Sequence, residues 1–304
     1  MKRIVCSILS LSFLAGIAYA QQPAAGVDSS ATAVDAKIEV YLKENIPFKS
    51  PVPLAPVREA DVIWAKTVWR VVDLRQKQNL PLYFPVAPTR EIGGRVNFFH
   101  LLLKGVERGE ITAYDGFPDG DEFAASQIRT YEQIISNPSL KAEDKEVPGV
   151  SVYTGRDTML IQKGKNVLED EEVARLFIKE IMYFDRRYSS FKRVVIGIMP
   201  MYYFYEEVEG GEPTLRRIPV MWIYYPEARP LLARHSVYNT FNDAQNISFD
   251  DFFMQNRYEG LIYKQSNVHN NRAIADYTKG VDALHEAAKI ENEIFNWEQD
   301  MWEY

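Results

Sequence analysis

Asp61-Val62-Ile63-Trp64-Ala65-Lys66-Thr67-Val68-Trp69-Arg70-Val71-Val72-Asp73-Leu74-Arg75 is the stretch on which the fold reading turns. Its periodicity predicts a helix over Glu59 to Lys77. At 100° per residue, Val71, Trp64, Val68, Val72, Ala65, Trp69 and Val62 fill one continuous half of the wheel. Lys66, Arg70 and Asp73 share the other half. Arg70 and Asp73 then stand i, i+3 and can pair, although an exposed pair contributes only about 0–1 kcal/mol.

Upstream of this stretch, Pro47, Pro51, Pro53 and Pro56 impose an extended run, read either as a linker or as an arm lying on a neighbouring subunit. Gln21 to Asp35 is rich in Ala, Ser, Gln and Gly and reads as a disordered leader. Residues 1–20 read as a secretory signal. Lys2 and Arg3 precede an apolar core from Ile4 to Ile17, and Ala18-Tyr19-Ala20 offers a small-x-small cleavage site. Cys6, the one cysteine, lies inside that signal. The mature chain, beginning at Gln21, is then exported without a thiol or a lipid of its own. Disulfides, a cysteine nucleophile and thiolate metal sites are excluded on this reading.

Downstream, Leu80 to Pro85 is expected to be a strand, Arg95 to Val106 a helix stopped at Gly109, and Ile111 to Tyr114 a strand. Asp115 to Glu122 reads as an acidic loop, Ile128 to Ile135 as a helix and Lys141 to Pro148 as a charged loop. Val150 to Ile161 reads as extended. Asn166 with Glu169 forms a capping-box pattern that predicts a helix to about Phe184. Lys192 to Met199 and Met201 to Glu207 are β-rich, Gly210-Gly211 marks a hairpin, and Leu215 to Tyr225 is its return strand. Ser248 with Asp251 caps a helix over Phe249 to Asn256, and Leu261-Ile262-Tyr263 reads as a strand. A long helix is expected from near Ala273 almost to Tyr304.

The fold class is therefore α+β: mainly antiparallel strands with packed helices and a long C-terminal helix. The domain reading is a signal over 1–20, a leader and proline-rich arm over 21–56, and a globular domain over 57–304. Leu82-Tyr83-Phe84-Pro85 and Ile223-Tyr224-Tyr225-Pro226 each precede an expected helix, then a glycine and a strand. This correspondence fits two similar lobes, about 57–165 and 166–304, and fits chance equally well.

Removing Lys2 and Arg3 leaves 33 basic against 42 acidic residues, a poor balance for nucleic acid or an anionic membrane. Aromatics make up 13% of the chain, which suits broad protein–protein surfaces as well as a thick core. No G-x-S-x-G elbow, dinucleotide fingerprint or P-loop is present. In His285-Glu286-Ala287-Ala288-Lys289 a lysine stands where a zinc-protease helix needs its second histidine. Asp115, Asp119, Asp121 and Glu122 are either a solvated loop or a calcium site, and their spacing departs from an EF-hand. No carboxylate pair is singled out for hydrolysis, and an exported hydrolase stays as the alternative function. On the C-terminal helix, Ala283, Ala287, Ile290, Ile294, Trp297 and Met301 form a heptad-like seam, widened by Leu284, Ala288, Phe295 and Trp302. It must be buried against the chain's own core or against a partner.

The segment Asp61 to Arg75 resembles the first helix of the GldN/PorN family of gliding-motility proteins. Further likeness lies in Gly109 to Asp115, Trp222 to Pro230, Tyr238 to Asp243, Phe249 to Phe253, Ile262 to Val268, Asn270 to Arg272 and Glu293 to Tyr304. The resemblance implies a non-catalytic periplasmic subunit of the type IX secretion system. It further implies a ring formed with the lipoprotein GldK/PorK at the inner face of the outer membrane, with GldM/PorM coupling the ring to a motor. It implies no cofactor, no metal and no catalytic residue, and membrane contact only through partners. Trp64, Trp69, Arg70, Asp73, Trp297, Trp302 and Tyr304 are the candidate interface or structural residues.

Overall fold

The computed structural model describes residues 49–86, 95–116, 122–136, 145–150, 157–162, 173–206, 214–240, 242 and 245–302. The signal, the leader, the Gly210-Gly211 turn and Tyr304 lie outside them.

The helix expected over Glu59 to Lys77 does not form: only Glu59–Asp61 makes a single 3-10 turn. Val62–Asp73 is the first strand, β1. It lies between β6 (Val173–Asp185) and β12 (Leu261–Gln265), antiparallel to both. Six of its twelve residues are β-branched (Val62, Ile63, Thr67, Val68, Val71 and Val72), which suits a strand. The wheel misleads because both faces of this strand are covered. Val68, Trp69, Arg70 and Val72 are all buried, so the usual in–out alternation is lost.

β6 pairs along its length with β7 (Ser190–Glu206). The helix expected from Asn166 is a correction of the same kind, since its described part, from Val173 onward, is strand. β8 (Thr214–Pro219) and β9 (Met221–Tyr224) both pair with β7, so the expected return strand breaks at Val220. β2 (Ala113–Asp115) and β3 (Ile128–Arg129) complete an eight-stranded sheet in the order β12-β1-β6-β7-β9-β2-β3, with β8 on β7. β4 (Lys145–Val150), expected as a loop, pairs with β5 (Asp157–Gln162), and β10 (Ser236–Val237) pairs with β11 (Ile247–Ser248).

Six helices are present among the described residues. The expected strand at Leu80 is helix α1 (Leu80–Tyr83), with Pro81 in its first turn. The two strand–proline blocks therefore differ, because Leu82 is helical and Ile223 is in β9. α2 (Phe98–Glu107) ends before Gly109, whose positive φ suits glycine. α3 (Tyr131–Ile135) is shorter than expected, since Ile128 and Arg129 are in β3. α4 (Tyr225–Ala233) follows β9, and α5 (Phe249–Met254) carries the expected Ser248/Asp251 capping box. The C-terminal helix α6 (Val281–Trp302) starts later than expected, after a 3-10 turn at Ile274–Asp276 and Gly280 at φ 62°.

One sheet face carries two apolar clusters. Helices α1 to α5 bury Phe98, Phe99, Leu232, Phe249 and Phe253 over Val72, Leu176, Ile178 and Ile198. Farther along that face, α6 sets Ala287, Ile290 and Ile294 on Val68, Met182 and Ile262. The opposite face carries Trp69, Met199, Met201 and Trp222.

Candidate functional site

Where the two clusters meet, the sheet buries a charge. Glu180 projects from the middle of β6 and is fully buried. Its Oε1 accepts from the Tyr258 hydroxyl at 2.8 Å, and its Oε2 accepts from Arg70 Nε at 3.3 Å. Arg193 on β7 stands 3.7 Å away and donates through Nε to Asn256 Oδ1 at 2.9 Å. Arg70 Nη1 donates to the Gly260 carbonyl and to Glu291 Oε1 on α6, both at 2.9 Å. Two arginines thus meet two carboxylates, and one network joins the central strands, the α5–β12 connection and the C-terminal helix.

Burial alone would lower the Arg70 pKa, but the carboxylates of Glu180 and Glu291 outweigh it and raise it. Burial and the Glu180 charge push the Tyr258 phenol well above its usual value, so it stays a donor. The expected Arg70–Asp73 pair is not formed. Asp73 instead accepts from Arg175 Nε at 3.4 Å, on the neighbouring strand.

The aromatic end of α6 is held beside this network. Trp297 stacks on Trp64 at 6.0 Å with planes 26° apart, and Phe191 lies 5.7 Å from Trp64. Three of the expected residues are therefore brought together: Trp64 and Trp297 directly, and Arg70 through Glu291. Trp69 and Asp73 are on β1 but away from this group. The Trp302 side chain and Tyr304 fall outside the described residues.

Trp69 anchors a second arrangement on the opposite face. Its indole Nε1 donates to Glu122 at 3.2 Å, and Lys179 Nζ donates to the same carboxylate at 2.8 Å. Lys264 Nζ sits 4.4 Å over the Trp69 ring. Phe123 points the tip of its ring at the sheet, so that a Cβ at Gly197 would come within 2.4 Å of its Cζ. Burial raises the Glu122 pKa, but the Lys179 hydrogen bond and charge prevail and lower it. Glu122 and Asp115, the described carboxylates of the acidic loop, are thus committed to Lys179 and Arg129.

The described end of the proline-rich run lies on its own globular body. Arg187 Nη2 donates to the Pro56 carbonyl at 3.0 Å, and Arg229 Nη2 donates to the Val52 carbonyl at 2.5 Å. Lys49 pairs with Asp251. Arg229 is itself held by buried Asp250, with Nε to Oδ1 at 2.9 Å, and Tyr225 donates to the same oxygen at 2.7 Å.

Glu180, Tyr258, Arg193, Asp250 and Arg229 escaped the reading of the sequence. The one available signal was a glutamate at every-second-residue spacing among Leu176, Ile178, Met182 and Phe184. Among the described residues no cluster of three or more His, Cys, Asp or Glu is placed to hold a metal. No helix among them is long and apolar enough to cross a membrane.

Residues 57–303 match the family described as gliding motility associated protein GldN. The chain belongs to the GldN family. GldN proteins are structural components of the gliding motility and type IX secretion machinery, not a known enzyme family. The matched span takes in both networks and the stacked Trp64–Trp297 pair. A comparison with curated proteins found no match.

Proposed function

We propose that this protein is a non-catalytic structural subunit of a periplasmic ring in the type IX secretion machinery. The ring is built with the lipoprotein GldK/PorK at the inner face of the outer membrane and is coupled to GldM/PorM. Trp64, Trp69, Arg70, Asp73, Trp297, Trp302 and Tyr304 serve as structural or interface residues.

The observation that carries this reading is how the buried charges are used. Arg70, Glu180, Asp185, Arg229 and Asp250 are each engaged in an ion pair that ties one element to another, Asp185 through Lys192 on β7. Such groups fix the relative positions of strands, helices and arm, as a force-bearing scaffold requires. A ring built from one kind of subunit needs two different surfaces that fit head to tail.

The test is co-expression with the lipoprotein, followed by size-exclusion chromatography and an assay of secreted cargo. A stable high-mass complex is expected. The scaffold reading fails if the purified protein does not associate with the lipoprotein, or if one acidic substitution abolishes secretion while assembly stays normal.

A further inference from the structure

Helix α6 carries two apolar stripes and its own body covers only one. Ala287, Ile290 and Ile294 face the sheet. Val281, Leu284 and Phe295 are 66%, 56% and 55% exposed, and Ala288 is also exposed. At 100° per residue these four positions fall within roughly 60° of one another, on the side away from Ile290. Val281, Ala288 and Phe295 recur every seventh residue, the repeat that keeps a seam facing a partner helix. From Val281 to Phe295 the stripe runs about 21 Å, close to four turns. Solvated helices do not need such a second seam, and contiguous exposed apolar surface marks an interaction site.

We propose that this outward stripe seats an amphipathic helix of another protein, one with Lys or Arg beside its apolar positions. The proposal rests on reading the chain as an assembly subunit and names the surface and the chemistry of the partner. Charge selects that partner. Helix α6 holds Asp282, Glu286, Glu291, Glu293, Glu298 and Asp300 against Lys289 alone. Glu291 and Glu298 border the stripe on one side, and the Glu291 side chain remains 54% exposed while holding Arg70. The other border carries His285, Asn292 and Asn296, which offer no compensating charge. A second copy of this helix would bring two acidic helices together, which like-charge repulsion disfavours. A basic-flanked helix gains both the apolar burial and the charge match. Because α6 is already fixed to the sheet by Ile290, Ile294 and the Arg70–Glu291 pair, the seat is rigid before the partner arrives.

The test uses the purified protein and two labelled synthetic helical peptides of about three heptads, with leucine at the seam positions. One peptide has lysine at the flanking positions and the other glutamate. Fluorescence anisotropy is expected to show saturable one-to-one binding of the lysine peptide and none of the glutamate peptide. The double variant Leu284→Ala, Phe295→Ala should weaken binding at least about thirtyfold, since it strips the two largest contacts of the seam. Both sites are exposed and alanine favours helix, so thermal melting should be unchanged. Val268→Ala, at a position 92% exposed and outside the helix, should bind as the unaltered protein does. The proposal is overturned if the double variant binds the lysine peptide normally, if the glutamate peptide binds equally well, or if sedimentation shows a dimer that the double variant dissolves. The two readings fail separately. Absence of the lipoprotein complex overturns the assembly reading, whereas an intact complex without stripe-dependent peptide binding overturns only the seat.

Discussion

Replacing Glu180 with glutamine removes one negative charge and almost no volume. The buried side chain faces Arg70 at 3.3 Å, Arg193 at 3.7 Å and the Tyr258 hydroxyl at 2.8 Å. In Glu180→Gln, Arg70 keeps Glu291 as its sole ion-pair partner in this network, and Glu291 is half in solvent. Breaking a buried pair by removing one partner costs about 3–5 kcal/mol, because a buried charge is left uncompensated. For a chain of this size each kcal/mol lowers the melting temperature by about 2–4 °C, so a fall of roughly 6–20 °C is expected. Tyr258→Phe is the internal comparison. It leaves the ion pairs intact and removes one hydrogen bond to a charged group, costing about 1.5–3 kcal/mol. Thermal melting and urea unfolding of the two variants beside the unaltered protein decide the matter. A Glu180→Gln loss below about 0.5 kcal/mol, the scale of an ordinary surface substitution, would refute the reasoning. So would a Tyr258→Phe variant less stable than Glu180→Gln.

Three further outcomes are expected. Trp297→Ala should lower stability by about 1–2 kcal/mol, since the ring is 48% exposed but stacks on Trp64; near-UV circular dichroism should report the lost stack. Gly197→Ala should cost about 1–3 kcal/mol by displacing the Phe123 ring from the sheet, and an unchanged urea midpoint would contradict the close approach. Glu122→Gln should cost about 1.5 kcal/mol at pH 7, read by urea unfolding across a pH series. Because the folded-state pKa of Glu122 is lowered, its contribution is present above the unfolded-state value near 4.3 and disappears as pH falls through the folded one. The gap between variant and unaltered protein should therefore close in acid, and a gap that widens there would sink the assignment.

Elements with a local cause were legible. The Ser248/Asp251 capping box begins α5 where it was expected, Gly109 follows the end of α2, and the inner seam of α6 faces its own core. The central strands were not legible. In β1 both faces are buried, which erases alternation and leaves a wheel that looks helical. In β6 the alternation is regular, but one core position is occupied by Glu180. The residue that anchors the charged network is the one that breaks the apolar pattern of its strand.

By itself the sequence determined the α+β class, the acidic balance, the helix capped by Ser248 and Asp251, and the family. These depend on composition and on residues within a few positions of one another. Only the tertiary structure decided that β1 is a strand and where its charge goes. Arg70 finds Glu180 at a separation of 110 residues and Glu291 at 221, and no pattern in a single chain encodes contacts that distant. Strand formation at β1 draws its hydrogen bonds from β6 and β12, so its conformation is a property of the assembled sheet rather than of its own twelve residues.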